Sequence, residues 1–357
     1  SMNPIDDNLV SHIDEINIPF FQSDKKPDVY MFVLDEFSGK NTLKLDFNYD
    51  LQSFEDELIE QGFIVPTSFS NYPNTEFSMP SIMNMMYMSN EIKDIQNNSK
   101  NNTSTDFRII QQIHASNNVM KIFKANNYDV VTFFGGMGNQ YNTQLVDKKL
   151  CAFGGFNPDL KKNFVLTYLP ISYFNEILLE NQSREKLECI FKTFEDNSFE
   201  DNSKAKFVLT HLRLPHEPFV YDENGNKVQN KDKKDKSAYL SQLKFSEKQI
   251  LKIINTIQSH SPDSVIILMS DHGYREEINW KNPKKIDYMR GFNTITSFYF
   301  PIGYEEIPTE ISSVNIFRIF FNSYFNADFE ILENRHIWYS EEKPFNHIEV
   351  SEMFKET

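Results

Sequence analysis

The chain has 357 residues, of which 39% are hydrophobic and 24% are charged, and its formal net charge is −15. The 33 Phe and 16 Tyr can fill a large core, which excludes an intrinsically disordered chain. The acidic balance offers no basic surface, so no nucleic-acid partner is expected. A chain of this length forms one large α/β domain or two average domains.

The two cysteines, Cys151 and Cys189, lack the CxxC or Cys/His spacing of a structural zinc site. Free core thiols and a single disulfide are both compatible with the sequence. The chain has no apolar run of about 18 residues and no signal-peptide-like segment near its start. Ser1 and Met2 are typical of a cloning remnant, so we expect that the natural protein has a membrane anchor that this sequence lacks.

Strands and helices alternate from the start of the predicted fold. Residues 1–26 are polar and irregular and are predicted to be a linker. The apolar run Val29–Leu34 is typical of a strand covered on both faces in a parallel sheet. Apolar residues at helical spacing over 51–59 predict a helix that stops at Gly62, and residues 63–65 predict the next strand.

The same alternation continues along the chain. A helix over 119–123 precedes a strand over 128–134, and another apolar strand covers 207–212. An apolar stripe over 239–257 predicts a long helix before a strand over 265–269. This alternation indicates an α/β fold, with a mainly parallel central sheet and helices on both faces. Ligands of such sheets bind beyond the carboxyl ends of the strands.

The predicted domain boundaries follow from where this pattern weakens. Residues 27–326 are expected to form the main domain, and residues 138–200 an insertion or cap over one edge of it. Residues 97–105 are rich in Asn, Ser and Thr, and residues 222–236 are rich in turn formers, so both predict surface loops. Residues 327–357 are expected to form a small strand-rich extension.

Carboxylates follow the first and the last of these predicted strands. Asp35 and Glu36 come directly after the first strand, where they could bind a hard or borderline cation or merely cap a helix. Asp271 and His272 come directly after the last strand, and Gly273 permits the turn that would bend both side chains toward one ion. The sequence therefore predicts a metal site at this edge of the sheet.

Two hydroxyls lie before a proline that fits the first turn of a helix. Pro80 is that residue, which places Thr75 and Ser78 in the loop at the helix N-terminus. Backbone N–H groups and the helix dipole favour an anionic phosphoryl or sulfuryl group there. A hydroxyl bound to a metal at this point could ionise and attack. The alternative is that Ser78 only caps a core helix.

Cationic side chains follow the strand predicted over 207–212. His211, Arg213 and His216 lie within this short stretch and could donate hydrogen bonds to an anionic substrate. A histidine at a strand end can also be a buried core group, and this alternative suits His211 better than His216. We expect the stretch to line the same edge as the carboxylates.

The order of these segments resembles the sulfatase-like domains of the alkaline phosphatase superfamily, whose relatives include the phosphoethanolamine transferases and the lipoteichoic acid synthases. The resemblance spans most of residues 26–326 and implies an alkaline phosphatase-like sandwich with residues 27–326 as its catalytic domain. The motifs that carry it are KPDVY (26–30), LD (34–35), SNY (70–72), PHEPF (215–219) and SDHG (270–273).

The resemblance implies a role for each of these residues. Asp35, Asp271 and His272 would hold one divalent ion, with Glu36 as a further ligand. Thr75 would be both a ligand and the nucleophile. The ion would be zinc or manganese, with calcium and magnesium less favoured.

Residues outside the metal site would act on the substrate. The resemblance implies that His216 contacts the substrate phosphate or helps to protonate the leaving group. Substrate binding is predicted for His211, Arg213, Ser78 and Asn71.

The sequence also departs from its relatives. Sulfatases carry Cys or Ser in a Cys/Ser-x-Pro-Ser-Arg signature, and here Ser78 begins a matching segment in which Ile82 replaces the arginine. The further histidine that phosphoethanolamine transferases place after Asp-His-Gly has no match in residues 274–300. The first departure weakens the sulfatase interpretation, and the second means that the complete transferase site is not present.

The leading hypothesis is a metal-dependent transferase that moves a phosphoethanolamine or phosphoglycerol type of group through a covalent Thr75 intermediate. The donor would be of phospholipid type and the acceptor a cell-envelope glycan or lipid. The alternatives are a phosphodiesterase, phosphatase or sulfatase of the same superfamily, and a catalytically silent glycan-binding domain. Because relatives are tethered outside the cytoplasmic membrane, a periplasmic or cell-surface location is expected.

Overall fold

A six-stranded sheet forms the centre of the molecule. The computed structural model describes residues 18–21, 26–88, 107–133, 143–151, 171–197, 204–230, 232–301, 307–340 and 343–354. The strands are β1 (Val29–Leu34), β2 (Thr67–Phe69), β3 (Asp129–Phe133), β4 (Lys148–Leu150), β5 (Lys206–Leu212), β6 (Phe219–Tyr221), β7 (Lys227–Asn230), β8 (Val265–Ser270), β9 (Asn293–Thr294), β10 (Thr296–Tyr299), β11 (Glu310–Ser312), β12 (Ile337–Ser340) and β13 (Lys343–Glu349).

Helices flank the strands along the chain. They are α1 (Lys40–Phe47), α2 (Gln52–Glu60), α3 (Thr75–Asn84), α4 (Arg108–Ala115), α5 (Asn118–Ala125), α6 (Ile171–Glu195), α7 (Lys236–His260), α8 (Lys285–Phe292) and α9 (Ile316–Phe325). The central sheet has the strand order β10-β8-β1-β5-β3-β4 and is parallel except that β10 runs antiparallel to β8. The prediction of a mainly parallel sheet is confirmed.

The central strand β1 is buried on both faces. Its residues Tyr30, Phe32 and Leu34 pack in one apolar cluster with the apolar side of α7. The residues between them, Val29, Met31 and Val33, pack in a second cluster with α3, α5 and α9. Side chains of a strand alternate between faces, so helices cover the sheet on both sides, as predicted.

The register of the central strands determines where the site lies. Leu34 at the end of β1 pairs with Leu212 of β5 on one side and with Ser270 of β8 on the other. These three strands are parallel, so they end at the same edge of the sheet. The polar residues that follow them therefore meet at that edge.

Some predicted elements differ from the structure. Residues 63–65 were expected to be a strand, but there only Ile64 makes an isolated bridge and the strand begins at Thr67. The loop predicted over 222–236 contains β7, which pairs with β6 as a hairpin. Of the predicted insertion 138–200, residues 143–151 and 171–197 are described, and the predicted loop 97–105 lies outside the described residues.

The C-terminal strands pack directly on the main domain. β12 and β13 form an antiparallel hairpin, and its Tyr339 and Phe345 pack against Phe77 of α3. Residues at the start of the described chain also contact the domain, where the Phe21 N–H donates to Asn126. The predicted boundaries at 26 and 326 stay predictions. In the part of the chain that the structure describes, no helix is long and apolar enough to cross a membrane.

The two cysteines form a disulfide, which decides between the two alternatives that the sequence leaves open. Cys151 follows β4 and Cys189 lies on α6, with their Cα atoms 5.8 Å apart. This separation is typical of disulfides. The bond ties the edge of the central sheet to the helix beside it.

Candidate active site

Three strand ends bring carboxylates and an imidazole together. Asp35 follows β1, His211 lies near the end of β5, and Asp271 follows β8. One ligand atom of each lies within 4.8 Å of the others, and all three side chains are buried. The structure therefore places His211 beside the two carboxylates. The sequence analysis had predicted either a substrate-binding role or a core role for this residue.

His272 completes this group. Its Nε2 lies 3.6 Å from Oδ1 of Asp35 and 3.7 Å from Oδ2 of Asp271. Its Nδ1 is 2.9 Å from the carbonyl oxygen of Gly273, and a proton on Nδ1 makes that contact a hydrogen bond. The lone pair on Nε2 then faces the two carboxylates, the usual arrangement of a histidine that ligates a metal.

The group fits a divalent cation. Asp35 and Asp271 are nearly inaccessible to solvent, and two adjacent buried carboxylates are unfavourable without positive charge. Within the described residues, Oδ1 of Asp35 and Nε2 of His272 have no hydrogen-bond partner. Burial, followed by the charge of Asp271, raises the pKa of Asp35. A set of carboxylate and imidazole ligands suits zinc or manganese.

Thr75 is the first residue of α3, and its hydroxyl faces the same group. Thr75 Oγ1 donates a hydrogen bond of 2.5 Å to Oδ2 of Asp271. Burial opposes the charged form of Asp271, but nearby histidines and this hydrogen bond hold the pKa of that carboxyl below its usual range. The structure therefore places Thr75 beside Asp35, Asp271 and His272 at a helix N-terminus.

The start of α3 corrects the sequence analysis. The helix begins at Thr75 and not near Pro80, because Asn74 has an extended backbone and its carbonyl accepts the N–H of Ser78. Pro80 lies inside the helix. Ser78 is therefore not the N-cap, and its hydroxyl donates a 2.6 Å hydrogen bond to the carbonyl of Asp271.

Glu36 turns away from the carboxylate group. Its backbone is left-handed, with φ of 65°, which is uncommon for a residue other than glycine. Its Oε1 accepts the backbone N–H of Arg275 at 2.8 Å, and its Oε2 lies 3.9 Å from Nε2 of His216. Burial raises the pKa of Glu36 to about 8. The group formed by Asp35, His211 and Asp271 does not include it.

His216 lies at the rim of the site. Its Nδ1 is 2.7 Å from the carbonyl of Glu217, whereas the hydrogen bond from Arg213 Nε to the same nitrogen is 3.4 Å. The shorter contact favours a proton on Nδ1, so Nε2 presents its lone pair. Burial and the positive charge of Arg213 and Arg275 lower the pKa of His216 to about 3. The ring is therefore neutral near pH 7.

Asn71 is engaged elsewhere. Its amide donates to the hydroxyl of Ser312 and to the carbonyl of Arg335, and its side-chain oxygen accepts the N–H of Val314. These hydrogen bonds hold the loop before α3 to the C-terminal part of the chain. Its predicted role in substrate binding stays a prediction.

The family assignment rests on most of the chain. The Sulfatase family model matches residues 29–306. The chain belongs to the Sulfatase family. It is an enzyme of the alkaline phosphatase superfamily. No curated protein sequence matches the chain.

Solved structures share the fold of this Sulfatase family member. The C-terminal periplasmic domain of EcEptC from Escherichia coli has 12% identity and a TM-score of 0.57, over 93% of this chain and 94% of that one. The same domain in complex with zinc has 13% identity and a TM-score of 0.55, over 92% and 94%. Lipooligosaccharide phosphoethanolamine transferase A from Neisseria meningitidis has 12% identity and a TM-score of 0.50, over 85% of this chain and 57% of that one.

Two charged residues of this Sulfatase family chain escaped the sequence analysis. Arg275 lies in the loop after β8, and its charge lowers the pKa of Glu36 against the larger effect of burial. Glu76, in the first turn of α3, has a pKa that burial raises and Arg275 lowers. The sequence signal for Arg275 was its position two residues after Gly273, in the loop that follows the Asp-His-Gly segment.

Proposed function

We propose that this enzyme transfers a phosphate-linked group, of the phosphoethanolamine or phosphoglycerol type, from a phospholipid-type donor to a cell-envelope glycan or lipid. The observation that carries the proposal is the Thr75 hydroxyl, which lies at the N-terminus of α3 and donates to Asp271 beside a buried group of metal-ligand type. A hydroxyl in this position can attack a phosphorus whose oxygens face the helix N-terminus.

Asp35, His211, Asp271 and His272 would hold the divalent ion, zinc being the first candidate. When bound, such an ion favours the ionised hydroxyl and neutralises charge that develops on the phosphoryl oxygens. Asp271 also orients the Thr75 hydroxyl through its hydrogen bond. The helix N-terminus at Thr75 favours phosphoryl oxygens through the helix dipole and through N–H groups that lack a partner within the helix.

Transfer would proceed in two steps. In the first, Thr75 Oγ1 forms a bond to phosphorus as the bond to the leaving oxygen breaks, and the proton of the Thr75 hydroxyl passes to the leaving oxygen. In the second, the acceptor oxygen forms a bond to the same phosphorus as the bond to Thr75 Oγ1 breaks, and the proton of the acceptor hydroxyl passes to Thr75 Oγ1. His216 presents the lone pair of Nε2, so this nitrogen can accept the proton of the acceptor hydroxyl during the second step.

The principal alternative is a hydrolase that uses Ser78. The hydroxyl of Ser78 donates to the carbonyl of Asp271, and Ile82 stands where a sulfatase has arginine. Both observations favour Thr75 as the attacking group. Transfer and hydrolysis differ in the second step. In transfer an acceptor hydroxyl attacks the phosphorus, and in hydrolysis water does.

The proposed location is outside the cytoplasmic membrane, in a protein that is tethered to it. The Cys151–Cys189 disulfide supports this location, because disulfides persist in oxidising compartments. The shared fold with a periplasmic domain is consistent with it. The phospholipid donor and the envelope acceptor would both be within reach of an enzyme held there.

The experiment compares donors and acceptors directly. Zinc-loaded protein is incubated with phosphatidylethanolamine or phosphatidylglycerol in detergent micelles, with and without a glycolipid acceptor. We expect release of diacylglycerol and a modified acceptor, both lost in Asp271→Asn. Release of only the free phosphorylated headgroup would favour a phosphodiesterase. Turnover of aryl sulfate alone would favour a sulfatase. Either result would contradict the proposal.

A further inference from the structure

Arg275 differs from the other arginines of the described chain in what its guanidinium contacts. Arg290 makes two hydrogen bonds to Asp46, and Arg335 makes two to Glu349. The guanidinium of Arg275 makes no hydrogen bond to any residue that the structure describes. Its nearest carboxylate oxygen, Oε1 of Glu36, lies 4.0 Å from Nε, beyond hydrogen-bond distance.

The guanidinium of Arg275 has N–H donors that no hydrogen bond to the described residues uses. It carries five N–H groups and a permanent charge, and its Nε is buried. The side chain is 27% exposed, so a ligand that enters from the rim can still reach it. A partly desolvated cation without hydrogen bonds is unfavourable, and bidentate pairing with a tetrahedral oxyanion would satisfy it.

The backbone around Arg275 is held in place. The N–H of Arg275 donates to Oε1 of Glu36 at 2.8 Å, and the N–H of Tyr274 donates to the hydroxyl of Ser38 at 2.9 Å. The N–H of Gly273 donates to the carbonyl of Gly291 at 2.9 Å. The loop therefore presents the side chain from a fixed position.

The guanidinium of Arg275 lies beside Glu36, which follows the candidate metal ligand Asp35 directly. Its Nε is 4.0 Å from Oε1 of Glu36, and the other oxygen of that carboxylate, Oε2, is 3.9 Å from Nε2 of His216. The guanidinium therefore lies on the side of the site that His216 lines.

We propose that Arg275 binds the phosphoryl oxygens of the substrate, on the side of the site that His216 lines. This inference rests on the proposed function for its substrate class. Arg275 would supply the positive charge that is missing beside Ser78, where Ile82 replaces the arginine of sulfatases. Bidentate hydrogen bonds from the guanidinium would fix the phosphorus in front of Thr75.

The test uses inorganic phosphate as the probe and needs no turnover. Zinc-loaded wild type, Arg275→Gln and Arg275→Lys are titrated with phosphate by calorimetry. Arg335→Gln serves as a matched control. Since charge-assisted hydrogen bonds are the strong ones, we expect phosphate to bind roughly 10- to 100-fold more weakly to Arg275→Gln, with partial recovery in Arg275→Lys. The control should bind as wild type does.

Two further measurements distinguish binding from a structural role. Zinc content and the unfolding temperature should match wild type in Arg275→Gln, whereas a role as counter-ion to Glu36 would lower them together with phosphate affinity. Equal phosphate affinity in wild type and Arg275→Gln would overturn the proposal. If phosphate affinity falls as expected but no phosphodiester is turned over, the proposed function fails and the role of Arg275 stands.

Discussion

Thr75 and Ser78 both donate their hydroxyls to Asp271, but to different parts of it. Thr75 contacts the carboxylate, which belongs to the candidate metal site, and Ser78 contacts the backbone carbonyl. We expect Thr75→Ala to abolish turnover because no other hydroxyl faces that carboxylate among the described residues. Ser78→Ala should keep activity and lower the free energy of unfolding by about 1 kcal/mol, because a buried carbonyl loses its donor.

Phosphodiester turnover and urea unfolding of the two variants measure both effects. Full activity in Thr75→Ala would remove it from the mechanism. Loss of activity in Ser78→Ala at unchanged stability would favour Ser78 as the attacking group. Thr75→Ser provides a control, since it keeps a hydroxyl at the same place.

His336 is a buried histidine in an aromatic environment. Its ring stacks on Phe354 and meets Phe69 and Phe292 edge-on, and neither ring nitrogen has a partner in the described chain. Burial lowers its pKa from 6.5 to about 4. The unfolded chain therefore binds its proton more readily, so this histidine destabilises the fold as pH falls below 6.5.

Replacement of His336 should remove this pH dependence. Between pH 7.5 and pH 5, the histidine should reduce the free energy of unfolding by about 2 kcal/mol. His336→Phe should be less sensitive to that change by the same amount, as measured by urea unfolding at both values. His260→Gln, at an exposed position of α7, is the control. An equal pH dependence in wild type and His336→Phe would show that the ring is not held neutral.

At the scale of elements, the turn after β8 depends on a close approach of backbones. A Cβ on Gly273 would overlap the carbonyl oxygen of Arg290 and lie 2.8 Å from that of Asn293. Gly273→Ala should therefore push the turn that carries Asp271 and His272 away from α8. We expect a loss of about 2 kcal/mol of stability and zinc binding at least about 10-fold weaker.

Zinc titration and urea unfolding of Gly273→Ala measure both effects. Gly225→Ala is the control, because Gly225 has a positive φ of 82° in a hairpin of its own. It should lose about 1 kcal/mol of stability and bind zinc normally. Normal zinc affinity in Gly273→Ala would show that the turn can shift without harm.

The sequence could predict the placement of the carboxylates but not the details around them. Asp35 and Asp271 follow long apolar runs, and parallel strands end at one edge, so their meeting follows from topology. The position of Glu36 depends on a left-handed backbone that no pattern indicates. The start of α3 depends on the extended Asn74, while the proline cue pointed to a later start. Arg275 lies in a polar loop without periodicity, so no sequence pattern indicates where its guanidinium lies.

At the scale of the molecule, alternating elements were enough to predict the layered fold. Buried strands without polar alternation, as in β1 and β8, indicate helices on both faces. The disulfide could not be predicted, because the pairing of Cys151 with Cys189 requires β4 to lie beside α6. That contact joins segments distant in sequence.

The disulfide should contribute to the stability of the whole domain. Because it closes a long loop, replacing both Cys151 and Cys189 by Ser should lower the free energy of unfolding by about 3 kcal/mol. Zinc binding should remain, since neither cysteine belongs to the candidate site. Thiol titration of unfolded, unreduced wild type should find no free thiol. Two free thiols in protein made under oxidising conditions would contradict the pairing.

The central claim is that Thr75 forms a covalent bond to the transferred group. The direct measurement is peptide mass spectrometry of zinc-loaded protein, quenched during turnover of a phosphatidylethanolamine analogue. His216→Gln, in which the second step should be slower, is examined beside wild type. We predict that fragment ions place the added phosphoethanolamine mass on Thr75, and that a larger fraction of His216→Gln than of wild type carries it. The added mass on Ser78, or steady turnover with no adduct in either protein, would contradict it.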